Sequence, residues 1–305
     1  MGVMIDGAYD PQDPGPDTTQ GGAFRRAAST IRHWITPDGP FAPDPGRYHL
    51  YAAWNCPWAH RALLARAILG LEETIGVSYA RPRRTEDGWV FDATGPYADP
   101  CLGISALHQV YARQDPPYTG RVTVPVLWDT ATGRIVSNES ADIVRMLGAF
   151  GTGPDLTPPG LTPEIEQWNT LIYRTVNNGV YRAGFARTQE AYDTAVTEVF
   201  ATLDRIETHL AAADWLAGDV FTEADLRLFP TLARFDVAYH YAFKCNIRRL
   251  TDYPRIWAYA RRIYHMPGVA GTVDFEIYKR GYFSPSGLRN PLGIVPAGPQ
   301  LDWSL

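Results

Sequence analysis

The fold is decided by residues 48–69, which read YHLYAAWNCPWAHRALLARAIL. The first seven of these residues are rich in aromatic and apolar side chains, as expected of a short strand. Alanine and leucine dominate from Pro57 onward, which favours a helix. Pro57 also suits the first helical position, because its missing N–H would have no partner there. The stretch therefore predicts a strand, a turn that contains Cys56, and a helix.

Further elements downstream extend this pattern. We expect strands over residues 74–80, 121–128 and 134–137, the last two paired as a hairpin, and a helix over residues 139–147. A long polar loop, residues 81–115, separates the first of these strands from the second, and loops of this length usually bind something. The order strand, helix, strand, long loop, two strands and helix predicts an α/β domain of the thioredoxin-like type.

Composition divides the chain into five segments. Residues 1–47 are rich in proline, glycine and aspartate and predict an extended arm, whereas residues 48–150 form the expected thioredoxin-like, thiol-binding domain. Proline and glycine mark residues 151–163 as a linker. Helical periodicity then predicts an all-helical domain over residues 164–280, followed by an irregular tail over residues 281–305. The helices expected within that domain span residues 164–177, 188–213, 222–241 and 253–265.

Length and charge narrow the class of protein. The chain has 305 residues, of which 45% are hydrophobic, and a formal net charge of -5. Two domains are expected at this length, and neither nucleic acid nor a membrane surface is an expected partner. The sequence has no apolar run of about 18 residues that could span a bilayer. The acidic N-terminus, with Asp6, Asp10, Asp13 and Asp17, is unlike a secretory signal, so we expect a cytoplasmic protein.

The cysteines are sparse. Cys56, Cys101 and Cys245 are odd in number, which argues against a disulfide framework and for free thiols in a reducing compartment. We expect structural roles for Cys101 and Cys245. No metal site is expected, because His49, His60 and Cys56 lack the spacing of zinc ligands.

Cys56 is the strongest candidate for chemistry. At the start of a helix the unpaired amides and the helix dipole favour the thiolate, whereas the alternative, a buried and inert thiol, fits a turn poorly. Ala59 stands where a dithiol redox pair would carry its second cysteine. A disulfide formed at Cys56 must then be resolved by a thiol from outside the chain, and a low-molecular-weight thiol is the expected cosubstrate.

Two later motifs fit a bound thiol peptide. Val124-Pro125 stands where thioredoxin-like folds place a cis proline, whose preceding residue offers backbone hydrogen bonds to such a ligand. Glu139 and Ser140 begin the next helix, where amides and a hydroxyl could hold an α-carboxylate while Glu139 binds an ammonium group. Ordinary capping of that helix by Asn138 and Glu139 is the alternative.

Several runs of the sequence match one family. They are NCPWAHR (55–61), GWVF (88–91), TVPVLWD (123–129), NES (138–140), YRAGFA (181–186), TEADLRLF (222–229), FKCN (243–246) and GIVP (293–296). Together they resemble the xi-class glutathione transferases, the glutathionyl-hydroquinone reductases, over nearly all of the chain after the arm. The resemblance implies a dimeric, cysteine-type transferase with an all-helical C-terminal domain, which uses glutathione to reduce glutathionyl-hydroquinones to hydroquinones.

The resemblance also assigns roles to residues. Cys56 would attack the glutathionyl sulfur, release hydroquinone and remain as a mixed disulfide that a second glutathione resolves. The positions that match the glutathione site are Trp89, Arg121, Val124, Glu139 and Ser140. Three tyrosines would line the quinol pocket and move protons during ketonisation of its ring. They are Tyr181, Tyr239 and Tyr282.

Other functions would use some of the same residues. An omega-like thioltransferase or dehydroascorbate reductase needs Cys56 but no tyrosine pocket, and the three tyrosines would then be ordinary packing residues. The alanine- and arginine-rich composition is typical of high-GC bacteria, some of which use another low-molecular-weight thiol. A non-catalytic protein that binds aromatic ligands is a third possibility. Cys56 argues against it, because a helix-start thiol risks oxidation without benefit to a passive binder.

Overall fold

The computed structural model of the chain describes residues 2–12, 14–151, 153–287 and 289–305. Asp13 of the expected arm, Thr152 of the expected linker and Leu288 of the expected tail lie outside the described residues, as does Met1. The chain forms two units. The N-terminal unit comprises Met1–Gly15 and Ala28–Pro154, and the C-terminal unit comprises Pro16–Ala27 and Asp155–Leu305.

Every strand in the described part of the chain lies in the N-terminal unit, together with three helices. Its strands are β1 (Val3–Ile5), β2 (Ala8–Asp10), β3 (Tyr48–Ala52), β4 (Gly76–Tyr79), β5 (Gly120–Arg121), β6 (Val126–Asp129) and β7 (Arg134–Ser137). Its helices are α1 (Pro57–Ile68), α2 (His108–Tyr111) and α3 (Ser140–Leu147), followed by a 3-10 turn over Gly148–Phe150. One sheet has the order β4-β3-β6-β7, with β3 parallel to β4 and antiparallel to β6. This is the predicted thioredoxin-like arrangement.

The centre of this sheet is buried on both faces. Every residue of β3 and of β6 is buried, and α1 and α3 pack against each other. The one charged residue in these two strands is Asp129, which accepts hydrogen bonds from Arg47 at 2.6 and 2.7 Å. Burial raises the pKa of Asp129, but the bonds from Arg47 and Thr132 outweigh it and hold the pKa below its usual value. The sheet therefore buries a charge only where that charge is paired.

Residues 3–10 of the expected arm form regular structure that the sequence did not predict. Strands β1 and β2 form a hairpin whose two-residue turn, Asp6-Gly7, has positive φ at both positions, 47° and 80°. This is the conformation that Asp-Gly favours in a tight hairpin. Strand β1 also pairs with β5, so the strand expected over residues 121–128 is two strands in two sheets, separated at Val124-Pro125.

The C-terminal unit is all helical, as predicted. Its helices are α4 (Thr162–Ile172), α5 (Gly179–Gly184), α6 (Gln189–His209), α7 (Glu223–Arg234), α8 (His240–Ala242), α9 (Pro254–Tyr264) and α10 (Phe275–Tyr282). Two π-helical turns, Tyr173–Asn177 and Phe235–Tyr239, follow α4 and α7, and 3-10 turns lie at Pro159–Leu161, Leu250–Asp252 and Ala270–Thr272. None of the helices in the described part of the chain is both long enough and apolar enough to cross a membrane.

Three features of this unit differ from the prediction. Helix α10 was not expected. The helix expected over residues 164–177 is α4 followed by a π-helical turn, and α5 comes directly after that turn. Residues 16–27, which we call the strap, belong to this unit although the sequence placed them in the arm. The backbone N–H of Arg187 donates to the Gly22 carbonyl at 2.9 Å, and the Thr188 hydroxyl donates to the Gly21 carbonyl at 2.9 Å. These bonds fix the strap to the start of α6.

Candidate active site

Cys56 is the N-cap residue of α1. Its backbone is extended, with φ −87° and ψ 116°, and its sulfur accepts a hydrogen bond from the backbone N–H of Ala59 at 3.5 Å. Pro57 occupies the first helical position. Since the N–H groups and the dipole of a helix start both favour an anion, this position stabilises a thiolate at Cys56.

The carbonyl oxygen of Val124 lies beside the same sulfur. The thiol of Cys56 donates to it across 3.5 Å, and the Val124-Pro125 peptide bond is cis. Val124 belongs to the apolar core of the N-terminal unit, and half-buried Cys56 packs against that core. The structure thus brings two of the predicted site residues into direct contact.

Glu139 and Ser140 lie at the start of α3. Glu139 is the N-cap residue, and its carboxylate accepts a hydrogen bond from the backbone N–H of Ala141 at 3.1 Å. The hydroxyl of Ser140 lies 3.5 Å from the same carboxylate oxygen. Capping, the alternative raised by the sequence, is therefore performed by Glu139, while the Asn138 amide donates to the hydroxyl of Tyr111 instead, at 3.3 Å.

Tyr111 is a residue that the sequence did not single out. Its hydroxyl donates to the carbonyl of Thr123 at 2.9 Å and also receives the bond from Asn138. Thr123 precedes Val124 and Asn138 precedes Glu139, so one buried phenol joins the backbone beside the cis proline to the start of α3. Burial raises the pKa of Tyr111 well above its usual value, so its hydroxyl keeps its proton. A tyrosine in a short helix within the long polar loop has no sequence pattern that would predict this role.

Trp89 and Arg121 have different surroundings. Trp89 is buried in the same core as Val124, and the guanidinium of Arg84 lies 5.3 Å from the centre of its ring. Its indole Nε1 is buried and has no hydrogen-bond partner within the described residues. A buried donor without a partner costs about 1–3 kcal/mol, so a ligand acceptor at this nitrogen would be stabilising. Arg121 lies on β5, where its guanidinium donates to the carbonyl of Gly15.

The three predicted tyrosines of the C-terminal unit meet at their hydroxyl groups. Tyr181 lies on α5, Tyr239 at the end of a π-helical turn and Tyr282 at the end of α10. The hydroxyl of Tyr282 lies 2.8 Å from that of Tyr181 and 2.9 Å from that of Tyr239. Burial raises the pKa of Tyr239 and of Tyr282 well above the usual value, so both phenols stay protonated near neutral pH.

The π-helical turns explain how these tyrosines are positioned. A π turn adds one residue to a helix and rotates every side chain that follows it, and such turns are frequent at functional sites. Tyr239 is the last residue of the second π turn, and the first one precedes α5, which carries Tyr181. In the first turn Asn177 donates to the carbonyl of Arg227 at 3.1 Å and to the hydroxyl of Thr231 at 2.8 Å. These bonds fix the extra residue against α7.

Aromatic rings surround the three hydroxyls. Phe243 packs on the rings of Tyr181, Tyr239 and Tyr282 with centroid separations of 5.2–5.5 Å, and Phe185 stacks on Tyr181 at 6.1 Å. Neither phenylalanine was predicted to have a role, although both lie inside runs that resemble the family, YRAGFA and FKCN. The rings of the tyrosine cluster are thus packed against other aromatic rings, with the guanidinium of Arg289 4.6 Å from the ring centroid of Phe185 and 5.2 Å from that of Phe243.

The other two cysteines have surroundings that disfavour a thiolate. All three cysteines are free thiols. Cys245 is buried, and burial raises its pKa to about 12, while burial also raises the pKa of half-buried Cys101. Among the described residues, no group of three or more histidine, cysteine, aspartate or glutamate side chains is placed to hold a metal ion. Of the three thiols, only Cys56 lies at the start of a helix.

These observations define a class of protein. A single cysteine at the start of the first helix of a thioredoxin-like sheet, in a chain whose other unit is all helical, is the architecture of a cysteine-type thiol transferase.

Comparisons with known proteins identify the family. The family model for the glutathione S-transferase N-terminal domain matches residues 55–149, and that for the C-terminal domain matches residues 189–262. The chain is 47% identical to glutathionyl-hydroquinone reductase PcpF of Sphingobium chlorophenolicum, over 98% of this chain and 96% of that protein. It is 46% identical to glutathionyl-hydroquinone reductase YqjG of Escherichia coli strain K12, over 99% and 96%.

Solved structures give the same result. The xi glutathione S-transferase from Phanerochaete chrysosporium is similar with a TM-score of 0.88 and 43% identity, over 93% of this chain and 95% of that one. The glutathione-bound structure of YqjG from Escherichia coli K-12 is similar with a TM-score of 0.85 and 46% identity, over 90% and 94%. The chain belongs to the glutathione S-transferase family and, within it, to the xi class.

Proposed function

We propose that the chain is a glutathionyl-hydroquinone reductase, which converts glutathionyl-hydroquinones to hydroquinones with glutathione as its cosubstrate. The observation that carries this proposal is the position of Cys56, a lone catalytic thiol at the N-cap of α1 with the Ala59 N–H directed at its sulfur. Two relatives that carry this name, at 47% and 46% identity, match the chain over almost their whole length. We further propose a cytoplasmic homodimer.

The first half-reaction breaks the bond between the quinol ring and sulfur. A proton is added to the ring carbon that carries the sulfur, and one phenol of the substrate loses its O–H proton to water, which together convert that phenol to a ketone. The Cys56 thiolate then attacks the glutathionyl sulfur, a sulfur–sulfur bond forms, and the ring leaves with the electron pair of the broken bond as the hydroquinone enolate. That enolate takes up one proton at oxygen and becomes hydroquinone, so the ring is reduced and Cys56 holds glutathione in a mixed disulfide.

The tyrosine cluster fits the proton-transfer part of this reaction. We assign Tyr181, Tyr239 and Tyr282 to the quinol ring, because their hydroxyls form one hydrogen-bonded chain at 2.8 and 2.9 Å. Two of these phenols have pKa values raised by burial, so they are proton donors near neutral pH and not phenolates. The surrounding aromatic rings would exclude water from a bound ring.

The second half-reaction restores the enzyme. A second glutathione attacks the mixed disulfide, glutathione disulfide leaves, and Cys56 returns to the thiolate. The residues that we propose to hold glutathione are Trp89, Arg121, Val124, Glu139 and Ser140. Trp89 offers an indole N–H that lacks a partner in the described structure, and Val124 offers its backbone beside the Cys56 sulfur. At the start of α3, the Glu139 carboxylate suits an ammonium group and the Ser140 hydroxyl suits a carboxylate.

An omega-like activity is the second candidate. It is favoured by the 42% identity to the Schizosaccharomyces pombe protein named glutathione S-transferase omega-like 2, over 92% of this chain. A thioltransferase or dehydroascorbate reductase needs Cys56 but has no use for a hydrogen-bonded tyrosine chain. The tyrosine cluster therefore favours the reductase. The same reductase chemistry with a different low-molecular-weight thiol is a further alternative, which the assay below separates.

The experiment that tests the proposal is intact-protein mass spectrometry. Glutathionyl-hydroquinone is added to the reduced enzyme without free thiol, and free hydroquinone is assayed in parallel. We expect one glutathione adduct per chain, mapped to Cys56, with one hydroquinone released. Addition of glutathione should then remove the adduct. An enzyme that releases no hydroquinone but forms the adduct with a simple glutathione disulfide would be a thioltransferase. An adduct that only another thiol can remove would identify a different cosubstrate.

A further inference from the structure

The strap contains Arg26, whose guanidinium lies against the tyrosine cluster. It folds back on itself, since Thr18 and Phe24 form an antiparallel bridge and the backbone N–H of Arg25 donates to the Asp17 carbonyl at 2.8 Å. Gly22 has φ +78°, and a Cβ there would lie 2.8 Å from the methyl group of Thr188. The strap is therefore seated on the start of α6 by a close contact that only glycine allows.

Arg26 is held in one position by three groups of the C-terminal unit. Its Nε donates to the side-chain oxygen of Asn178 at 2.8 Å. The centre of its guanidinium lies 4.8 Å from the centroid of the Tyr181 ring and 5.5 Å from that of Phe24, and Phe24 packs on Phe185 at 5.2 Å. These separations lie within the range of cation–π attraction. Asn178 immediately follows the first π turn, so Arg26 joins the strap to the segment that positions Tyr181.

Tyr181 is the accessible end of the hydroxyl chain. The hydroxyl of Tyr282 lies within hydrogen-bond distance of both Tyr181 and Tyr239, so a proton that one phenol gives up can be replaced through the others. Tyr239 is fully buried, whereas Tyr181 is partly exposed. The geometry therefore favours donation from Tyr181. A positive charge over its ring stabilises the phenolate that this donation leaves.

We infer that Arg26 is a positioning residue of the reaction: it fixes the ring of Tyr181 and stabilises its phenolate when Tyr181 protonates the quinol ring. In this step the O–H bond of Tyr181 breaks, and a C–H bond forms at the sulfur-bearing ring carbon with the electron pair of the enol. The enol O–H bond of the substrate breaks as the ketone forms, and its proton passes to water. The phenolate later regains a proton from water. This inference rests on the proposed function for its substrate, but the coupling between Arg26 and Tyr181 stands on the contacts alone.

The test compares the full-length enzyme with variants of adjacent arginines. Arg26→Met removes the charge and Arg26→Lys retains it. Arg25→Met is the matched control, because Arg25 is exposed and forms an ion pair at the surface with Asp17, at 3.3 Å. We expect Arg26→Met to lower kcat for glutathionyl-hydroquinone about tenfold, or about 1.4 kcal/mol. Its KM, and its exchange rate with a small glutathione mixed disulfide, should stay as in the parent. Arg26→Lys should recover part of the loss, and Arg25→Met should show none.

A second readout keeps the inference separate from the proposed function. The chain has 17 tyrosines, so the ultraviolet titration of phenolate is taken as the difference between each protein and its Tyr181→Phe derivative. In that difference Arg26→Met should raise the pH at which the Tyr181 phenolate forms, and Arg25→Met should not. If Arg26→Met loses both activities equally, or if Arg25→Met loses as much, the strap acts by packing alone and the inference is wrong. An unchanged kcat and titration in Arg26→Met would also overturn it. A parent enzyme without quinol activity but with the titration shift would overturn the proposed function and leave the coupling in place.

Discussion

The thiol site of the N-terminal unit and the tyrosine cluster of the C-terminal unit are built in different ways. Cys56 is positioned by the backbone around it: an N-cap, a proline at the first helical position and a carbonyl from the neighbouring segment. The tyrosine hydroxyls are positioned by each other, since they come from α5, from a π turn and from α10. A site that local backbone positions can be predicted from a short stretch of sequence. A site that side chains from distant segments form together cannot be predicted in that way.

The comparison leads to different expectations for substitutions. In the proposed mechanism one atom of the thiol site, the Cys56 sulfur, is the nucleophile, so its loss should stop every reaction of the enzyme. The three tyrosine hydroxyls are proposed to act together on one step, so their loss should slow that step and leave simple thiol exchange intact.

The largest effect is expected for Cys56→Ser. Removal of the nucleophile should lower both quinol reduction and disulfide exchange on the order of 10³-fold or more, because no second cysteine lies at position 59 to replace it. Steady-state assays of the two reactions measure this. Cys101→Ser is the control and should keep both activities, since burial raises the pKa of the Cys101 thiol. Substantial quinol turnover by Cys56→Ser would remove the proposed mechanism.

A smaller and selective effect is expected for Tyr282→Phe. This change deletes the central hydroxyl and breaks both links of the chain, at 2.8 and 2.9 Å, without loss of ring packing. We expect quinol turnover to fall roughly 10²-fold, as for loss of general acid–base catalysis. Exchange with a small glutathione mixed disulfide should stay within about twofold.

Tyr264→Phe is the matched control for this prediction. It removes one hydroxyl in the same unit from a ring that packs on His265, Phe275 and Trp303 and not on any ring of the tyrosine cluster. It should leave both activities unchanged. Equal losses of the two activities in Tyr282→Phe would mean that the tyrosine supports the fold and not the proton transfer.

A moderate effect on a different parameter is expected for Tyr111→Phe. This phenol bonds Thr123 and Asn138, and thereby joins the segment beside Val124 to the start of α3. Each buried bond is worth about 1 kcal/mol, so we expect KM for glutathione to rise roughly fivefold, with a small change in kcat. The KM of both reactions should rise alike, in contrast with Tyr282→Phe. An unchanged KM, measured together with urea denaturation, would limit Tyr111 to stability.

The sequence predicted the thiol site in more detail than its surroundings. Pro57 and Cys56 are adjacent and have strong preferences at helix starts, so their positions could be deduced directly. The Asp6-Gly7 hairpin also has a local signal, which the proline- and glycine-rich composition of the arm obscured. Fold class was predictable because hydrophobic periodicity changes along the chain from strands to helices.

The tyrosine cluster could not be derived from pattern alone. A π turn inserts one residue into a helix, and its effect on periodicity is too small to read within two turns. The sequence therefore predicted one continuous helix over residues 222–241, where the structure has α7, a π turn and α8. Tyr239 owes its position to that turn, and Arg26 owes its contact with Tyr181 to the fold of the strap. Only the family resemblance linked the tyrosines before the structure did.

The last expected effect is on stability in acid and not on activity near neutral pH. Burial lowers the pKa of His49, on β3, to about 4, and its Nε2 lies 2.7 Å from the hydroxyl of Ser78. The folded imidazole stays neutral while the unfolded one gains a proton below about pH 6.5. Stability is therefore unaffected above that pH, and it falls by roughly 1 kcal/mol per pH unit from about 6.5 to about 4. In urea denaturation, His49→Gln should remove this fall of the unfolding free energy with pH. It should not change how the activity of the Arg26 and Tyr282 variants depends on pH. If His49→Gln leaves the pH dependence of stability unchanged, other groups cause the loss of stability in acid. The Arg47–Asp129 pair is the next to test, because the pKa of its carboxylate is lowered and its stabilisation is lost only at lower pH.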